Sequence, residues 1–209
     1  MKVYDITQEL LGSVVFPGDP VPERTMLKRI ADGDICNLSY LKMCAHNGTH
    51  VDAPFHFVAE GLTIDQVPLR TWIGPAYVAA FEGIIGTPDI RRILDQMDGA
   101  AASADAPLRA GSKDPVKRLL IKGKATLSYE AAEVLAQTDL VLFGNESQTV
   151  GPEDAPAKVH QLLLGTGMTF LEGVRIGEVP EGIYLLDAAP INLAGSDGSP
   201  CRAILFDFT

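Results

Sequence analysis

Histidine is scarce in this chain, with four residues in 209, and tryptophan scarcer, with one. Cysteine is too sparse to organise a fold: Cys36, Cys44 and Cys201 are odd in number and form no CxxC pair. That argues against a disulfide framework and a cysteine zinc site, and predicts three buried, small apolar side chains. Basic charge is also short, at 17 Lys and Arg against 27 Asp and Glu. No basic cluster is long enough to track a phosphate backbone, so no nucleic-acid partner is expected. No apolar run reaches the roughly 20 residues of a membrane-spanning helix. Charges at Lys2, Asp5 and Glu9 interrupt the apolar stretch that a signal peptide requires. The expectation is a cytoplasmic protein with no membrane partner.

What is present suits a globular core. The apolar share is 46%, ordinary for a soluble protein, and the length suits a single domain over residues 1–209. Strand signals fall at KVYDI near the start, LSYLKMC (38–44), AYVAAF (76–81), RLLIK (118–122), DLVLFG (139–144) and the terminal CRAILFDF. Helix signals lie between them. Thr87-Pro88-Asp89 offers an N-cap, a first-turn proline and a first-turn acid; Ser128 caps YEAAEVLAQ; APAKVHQLLLG ends with Gly165 at a C-cap position. The class is therefore α/β with mixed sheets, and the strand-rich first third argues against a simple doubly wound sheet. Residues 99–115, rich in Ala, Ser, Gly, Asp and Pro, read as a surface loop.

The scarce histidines are not scattered. Three fall in AHNGTHVDAPFHF (45–57), with Asp52 among them. His46 and His50 have the spacing that puts two rings on one helix face. Gly48, Pro54 and the β-branched Thr49 and Val51 oppose a helix, since proline costs about 3 kcal/mol and glycine about 1 kcal/mol inside one. In an extended chain His46, His50, Asp52 and His56 share parity and project to one side. Parity is insufficient. Four extended residues span roughly 13 Å, whereas two ligand atoms on one tetrahedral zinc stand about 3.4 Å apart. The backbone must bend between His46 and His50, and Gly48 is able to take the positive φ of such a bend. Pro54 then stiffens the approach to His56. The segment reads as a rigid, bent loop bringing two imidazoles and a carboxylate to a metal ion, with His56 close by.

The fourth histidine, His160, lies in PAKVHQLLLG, and Glu172 ends an apolar stretch twelve residues later. A helix, a glycine turn at 165–167 and a returning strand are able to bring the two together, and a carboxylate bridges two metals where an imidazole does not. Spacing alone leaves equally open a helix histidine and a solvated strand end.

The pattern H-x-G-T-H-x-D-x-P-x-H, spanning His46 to His56, resembles the signature of the cyclase-like metal-dependent hydrolases, a family that includes the bacterial kynurenine formamidases (arylformamidases). FPGDP from Phe16, the 160–174 region and the NLAGSDGSPCRAIL ending are similar to family segments too. The resemblance implies a swivelling β/β/α fold, a homo-oligomer (dimer or tetramer), and two metal ions per subunit, most often Zn2+, with Mn2+ or Fe2+ also suited to N/O ligands. On it His46, His50 and Asp52 match ligands of the first ion. Asp52 and Glu172 match carboxylates bridging to the second, and His160 matches a ligand of that second ion. His56 matches the catalytic acid/base. The implied substrate is a small aryl formamide, N-formyl-L-kynurenine of tryptophan degradation.

Two departures bear on substrate. Phe16 stands where the formamidases usually place tryptophan, keeping an aromatic face but losing the indole donor. Gln148 stands at a position commonly proline. Phe55 and Phe57 are either core packing or a wall for the substrate ring. A cyclic amide, imide or lactone substrate is the alternative for the same centre. A non-catalytic metal protein is the alternative of another class, although closed structural zinc sites take four ligands and favour cysteine.

Overall fold

Short runs of Val, Ile, Leu and Ala build the frame. The strands Ile73–Ala80, Arg118–Lys122, Leu142–Asn145 and Thr169–Glu172 lie side by side in parallel, and their near-continuous apolar sequences suit strands covered on both faces. Antiparallel strands extend the sheet both ways. Gly182–Asp187, Ile204–Asp207 and Lys2–Asp5 follow on the Ile73–Ala80 side; His50–Asp52 and Gly198–Pro200 follow on the Thr169–Glu172 side. The result is a nine-stranded mixed sheet. The structure, a computed structural model, describes residues 1–103, 114–152 and 156–208.

Alternation along the strands sorts the core onto two faces. Leu119, Ile121, Phe143 and Phe170 pack with Ile90, Ile93, Ala131, Leu135, Val159 and Leu163, so the helices Thr87–Ala102, Tyr129–Leu135 and Ala157–Gly165 all cover one face. Leu120, Leu142 and Leu171 point the other way, onto Trp72, Ile64, Val174 and Ile176. Burying one such leucine stabilises the fold by roughly 1.5–3 kcal/mol. The mixed α/β class expected from sequence is thus observed.

Several local expectations shift. Ser128 does cap its helix, accepting from the Ala131 N–H at 3.1 Å. The N-cap of the first helix is Gly86 rather than Thr87; the Asp89 carboxylate accepts from the Gly86 N–H at 3.1 Å, as a first-turn acid can. Gly165 is the last helical residue of its segment, and the left-handed position is Gly167, with φ +89°. Residues 99–102, expected in a loop, complete the helix Thr87–Ala102, because alanine favours that state; residues 104–113 of that stretch lie outside the described residues. The predicted strand at 139–144 begins only at Leu142, and the terminal one spans Ile204–Asp207. All three cysteines are free thiols, but the expected burial fails at Cys36, which is exposed; Cys44 and Cys201 are partly buried. Cys36 sits beyond the sheet, near a two-stranded ribbon of Glu23–Lys28 and Leu38–Lys42 that leaves Leu27, Leu38, Tyr40 and Leu41 in solvent. Among the described residues, no helix is long and apolar enough to cross a membrane.

Candidate metal centre

The site forms where the short strand His50–Asp52 joins the sheet. Its neighbour Thr169–Glu172 is paired so that Glu172 lies directly opposite His50, and Phe170 opposite Asp52. Opposed residues in an antiparallel pair project to one side with β-carbons about 4.5–5.5 Å apart, which carries the Glu172 carboxylate to the imidazole. Just before the strand the chain bends at Gly48, whose φ of +71° is the left-handed conformation expected there. The bend turns His46 back, its ring edge-on to that of His50 at 5.1 Å and stacked on that of His56 at 4.1 Å. His56 closes the 3-10 turn Pro54–His56, and His160 descends from the helix Ala157–Gly165.

Donor atoms meet at ligand-like separations. His50 Nε2 lies 3.5 Å from Asp52 Oδ1 and 3.4 Å from Glu172 Oε2; His160 Nε2 lies 3.3 Å from Glu172 Oε1 and 3.9 Å from Asp52 Oδ2. These bracket the roughly 3.4 Å between two ligands of one tetrahedral ion. His46 Nδ1 and Asp52 Oδ1, at 2.8 Å, stand at a hydrogen-bond distance. Two triads each gather within 4.8 Å: His50, Asp52 and Glu172, and His46, Asp52 and His56.

The hydrogen bonds show that this set fits a cation. Nδ1 of His50 donates to the Gly48 carbonyl and Nδ1 of His160 to that of Pro156, both at 3.0 Å. Each Nε2 is thereby left facing carboxylate oxygens. A neutral ring would oppose lone pair to lone pair there, so a proton or a metal cation must sit between. Glu172 Oε1 accepts from the Val150 N–H at 2.9 Å, whereas Asp52 Oδ2 is fully buried with no hydrogen-bond partner among the described residues. A buried carboxylate oxygen without a hydrogen-bond partner, inside a cluster of imidazole nitrogens, is a donor that suits a cation.

The electrostatics follow. Burial opposes charge on His46, but the field of Asp52 and hydrogen bonds to Asp197 and Asp52 outweigh it and raise its pKa to about 11. His50 and His160 are raised against the same burial by Glu172 and Asp52. Asp52 and Glu172 are lowered although burial works the other way, Asp52 mainly by His46 and Glu172 by His160 and His50. The anions stabilise positive charge at this spot, as a metal site must.

All six predicted metal and acid/base residues, His46, His50, Asp52, His56, His160 and Glu172, thus converge. A cavity of about 210 Å³ opens over them, with Phe16 on its wall. Phe57 is partly buried, packing against the core and against the rings of His56 and His160 at 4.5 and 4.7 Å, so it serves both as packing and as pocket wall, whereas Phe55 is 40% exposed and is not core. One residue was missed. Asp197 Oδ2 lies 3.0 Å from His46 Nε2 and 3.3 Å from His56 Nδ1, and these contacts hold its carboxyl well below the usual range. Its only sequence signal was membership of the NLAGSDGSPCRAIL segment, in which no single residue stood out.

Nitrogen and oxygen donors without thiolate, beneath an open pocket, define a site for a borderline divalent cation and a small molecule. The chain belongs to the cyclase family: the family model described as "Putative cyclase" matches residues 4–152. It is 32% identical to a kynurenine formamidase of Salinibacter ruber, over 99% of this chain and 98% of that one. A kynurenine formamidase of Paracidovorax citrulli is 34% identical, over 97% and 95%. A solved structure described as a predicted metal-dependent hydrolase from Bacillus stearothermophilus superposes with a TM-score of 0.76 at 28% identity, covering 99% of this chain and 98% of that one.

Proposed function

We propose that this protein is a metal-dependent amidohydrolase that converts N-formyl-L-kynurenine and water into L-kynurenine and formate. The observation that carries the reading is the meeting of His46, His50 and Asp52 with His160 and Glu172, drawn from distant parts of the chain onto one buried point. The kynurenine formamidases of similar sequence support the substrate. His46, His50 and Asp52 would hold one ion, and His160 and Glu172, with Asp52 nearby, would hold a second. Zn2+ suits the donors best, and Mn2+ or Fe2+ also fit. When bound, such ions supply Lewis acidity toward water and toward the scissile carbonyl.

The protein's own groups do the rest. An anilide nitrogen leaves poorly unless it is protonated, and His56 is the group placed to protonate it. Its Nδ1 is committed to Asp197, so Nε2 is the atom that hands over the proton. Phe16 and Phe57 flank the pocket and exclude water from the aryl ring. The exposed apolar ribbon of Glu23–Lys28 and Leu38–Lys42 supports assembly with further copies as a dimer or tetramer. The ring-amide and non-catalytic alternatives are not favoured, since the formamidases match over nearly the whole chain. Elemental analysis coupled to a formate-release assay tests the proposal: metal-dependent formate production is expected, and its absence in metal-loaded protein overturns it.

A further inference from the structure

Beside the metal pocket lies a larger cavity of about 480 Å³, and Phe16, Gln148 and Thr149 line both. Gln148 therefore stands at the threshold. Its amide lies so close to Gly173, the residue after Glu172, that a β-carbon there would come within 2.3 Å of Nε2. Both polar atoms of this amide are buried, as is Thr149 Oγ1, and none has a hydrogen-bond partner among the described residues. An unpaired buried amide is unfavourable, so its place on a cavity wall points to a polar group that arrives with a ligand.

The rest of the cavity describes that ligand. Val14 and Phe16 give the cavity apolar lining, and the cations Lys124 and Arg175 line it together with one acid, Glu146. The Arg175 guanidinium is fixed by the carbonyls of Glu146, Gly173 and Val174 and by Gln8 Oε1. Lys124 Nζ enters no ion pair or hydrogen bond with the described residues. Two cations against one carboxylate leave the pocket net positive, in a protein of net charge −10.

We infer that this second cavity receives the leaving half of the substrate: an arylamine whose ring bears a carbonyl-containing arm ending in a carboxylate. The ring lies against Val14 and Phe16, the Gln148 N–H donates to the arm's carbonyl, and the carboxylate reaches Lys124 and Arg175. This inference rests on the formamidase reading and names the groups that select its substrate.

The test compares N-formylkynurenine, which has the arm, with formanilide, which lacks it, in wild type, Gln148→Met and Lys124→Met. The ratio of kcat/KM for the two substrates should fall about tenfold in Gln148→Met, the worth of one hydrogen bond, with KM carrying the change. In Lys124→Met it should fall about threefold, as for an exposed charge pair, and less at high salt. Thermal stability of Gln148→Met should hold or rise, because an unpaired amide has been replaced by a thioether of similar size. An unchanged ratio in either variant, or a destabilised Gln148→Met, overturns the assignment. No formate from either substrate with metal-loaded wild type overturns the formamidase reading, and the subsite with it.

Discussion

Asp197 receives His56 on its Oδ2, 3.3 Å from the ring's Nδ1, and the same oxygen takes His46 Nε2 at 3.0 Å. One carboxylate thereby orients a proposed metal ligand and the proposed proton donor, whose rings stack on one another at 4.1 Å. Asp197→Asn keeps the shape and removes the charge. Both kcat and metal affinity should fall by about 10–100-fold, as for carboxylates that orient metal-binding histidines elsewhere. Steady-state kinetics and competition with a chelator measure the two, and wild-type values for both would refute the role.

His56→Ala separates ligand from acid. Metal content should stay at the wild-type level while kcat drops by roughly 10²–10⁴-fold. Loss of a metal equivalent in this variant would make His56 a ligand instead.

Asp52 touches both halves of the cluster, so Asp52→Ala should empty the site. Elemental analysis that finds full occupancy in this variant would rule out the bridging arrangement. The fold should survive the change, since the strand His50–Asp52 remains paired on both sides.

Protons and metal compete for the same nitrogens. With the His46 pKa raised to about 11 and those of His50 and His160 also raised, the metal-free site holds protons at neutral pH. Adding Zn2+ to weakly buffered apo-protein at pH 7 should therefore release protons, and affinity should climb with pH. These folded-state values lie above the unfolded imidazole value of about 6.5. The stability they lend the apo-protein is therefore complete below that pH and declines as pH rises through the raised values. A pH-stat titration showing no acid release would contradict this picture.

Gly198 leaves room for an imidazole. A β-carbon there would stand 2.4 Å from Cε1 of His46 and 2.9 Å from both ring nitrogens. Gly198→Ala should weaken metal binding by displacing that ring although the glycine is no ligand. Calorimetric titration with Zn2+ reads the effect, and unaltered affinity would show that the ring moves freely.

Much of the centre was legible because its constraints are local. Parity put His50 and Asp52 on one side of a strand, and the distance between ligands demanded the bend that Gly48 supplies at φ +71°. Ser128 likewise announced its cap. Where local signals competed, the sequence was a weaker guide: Thr87 and Gly86 are both acceptable N-caps, and the Asp89 carboxylate, accepting from the Gly86 N–H, goes with the earlier one. Cys36 shows the limit of composition, since a thiol's usual burial says nothing about a residue carried outside the sheet.

The chain's own order of residues determined that a bent loop presenting three imidazoles and a carboxylate exists, because a bend, a strand and a stiff turn are decided within a dozen neighbouring residues. Only the tertiary structure decided what meets that loop. Glu172 faces His50, and Gly198 faces Asp52, through strand pairings between segments more than a hundred residues apart. Such pairings come from burying a common core rather than from any short-range preference. For that reason Glu172 was ambiguous by spacing, and Asp197 became visible only once the sheet had formed.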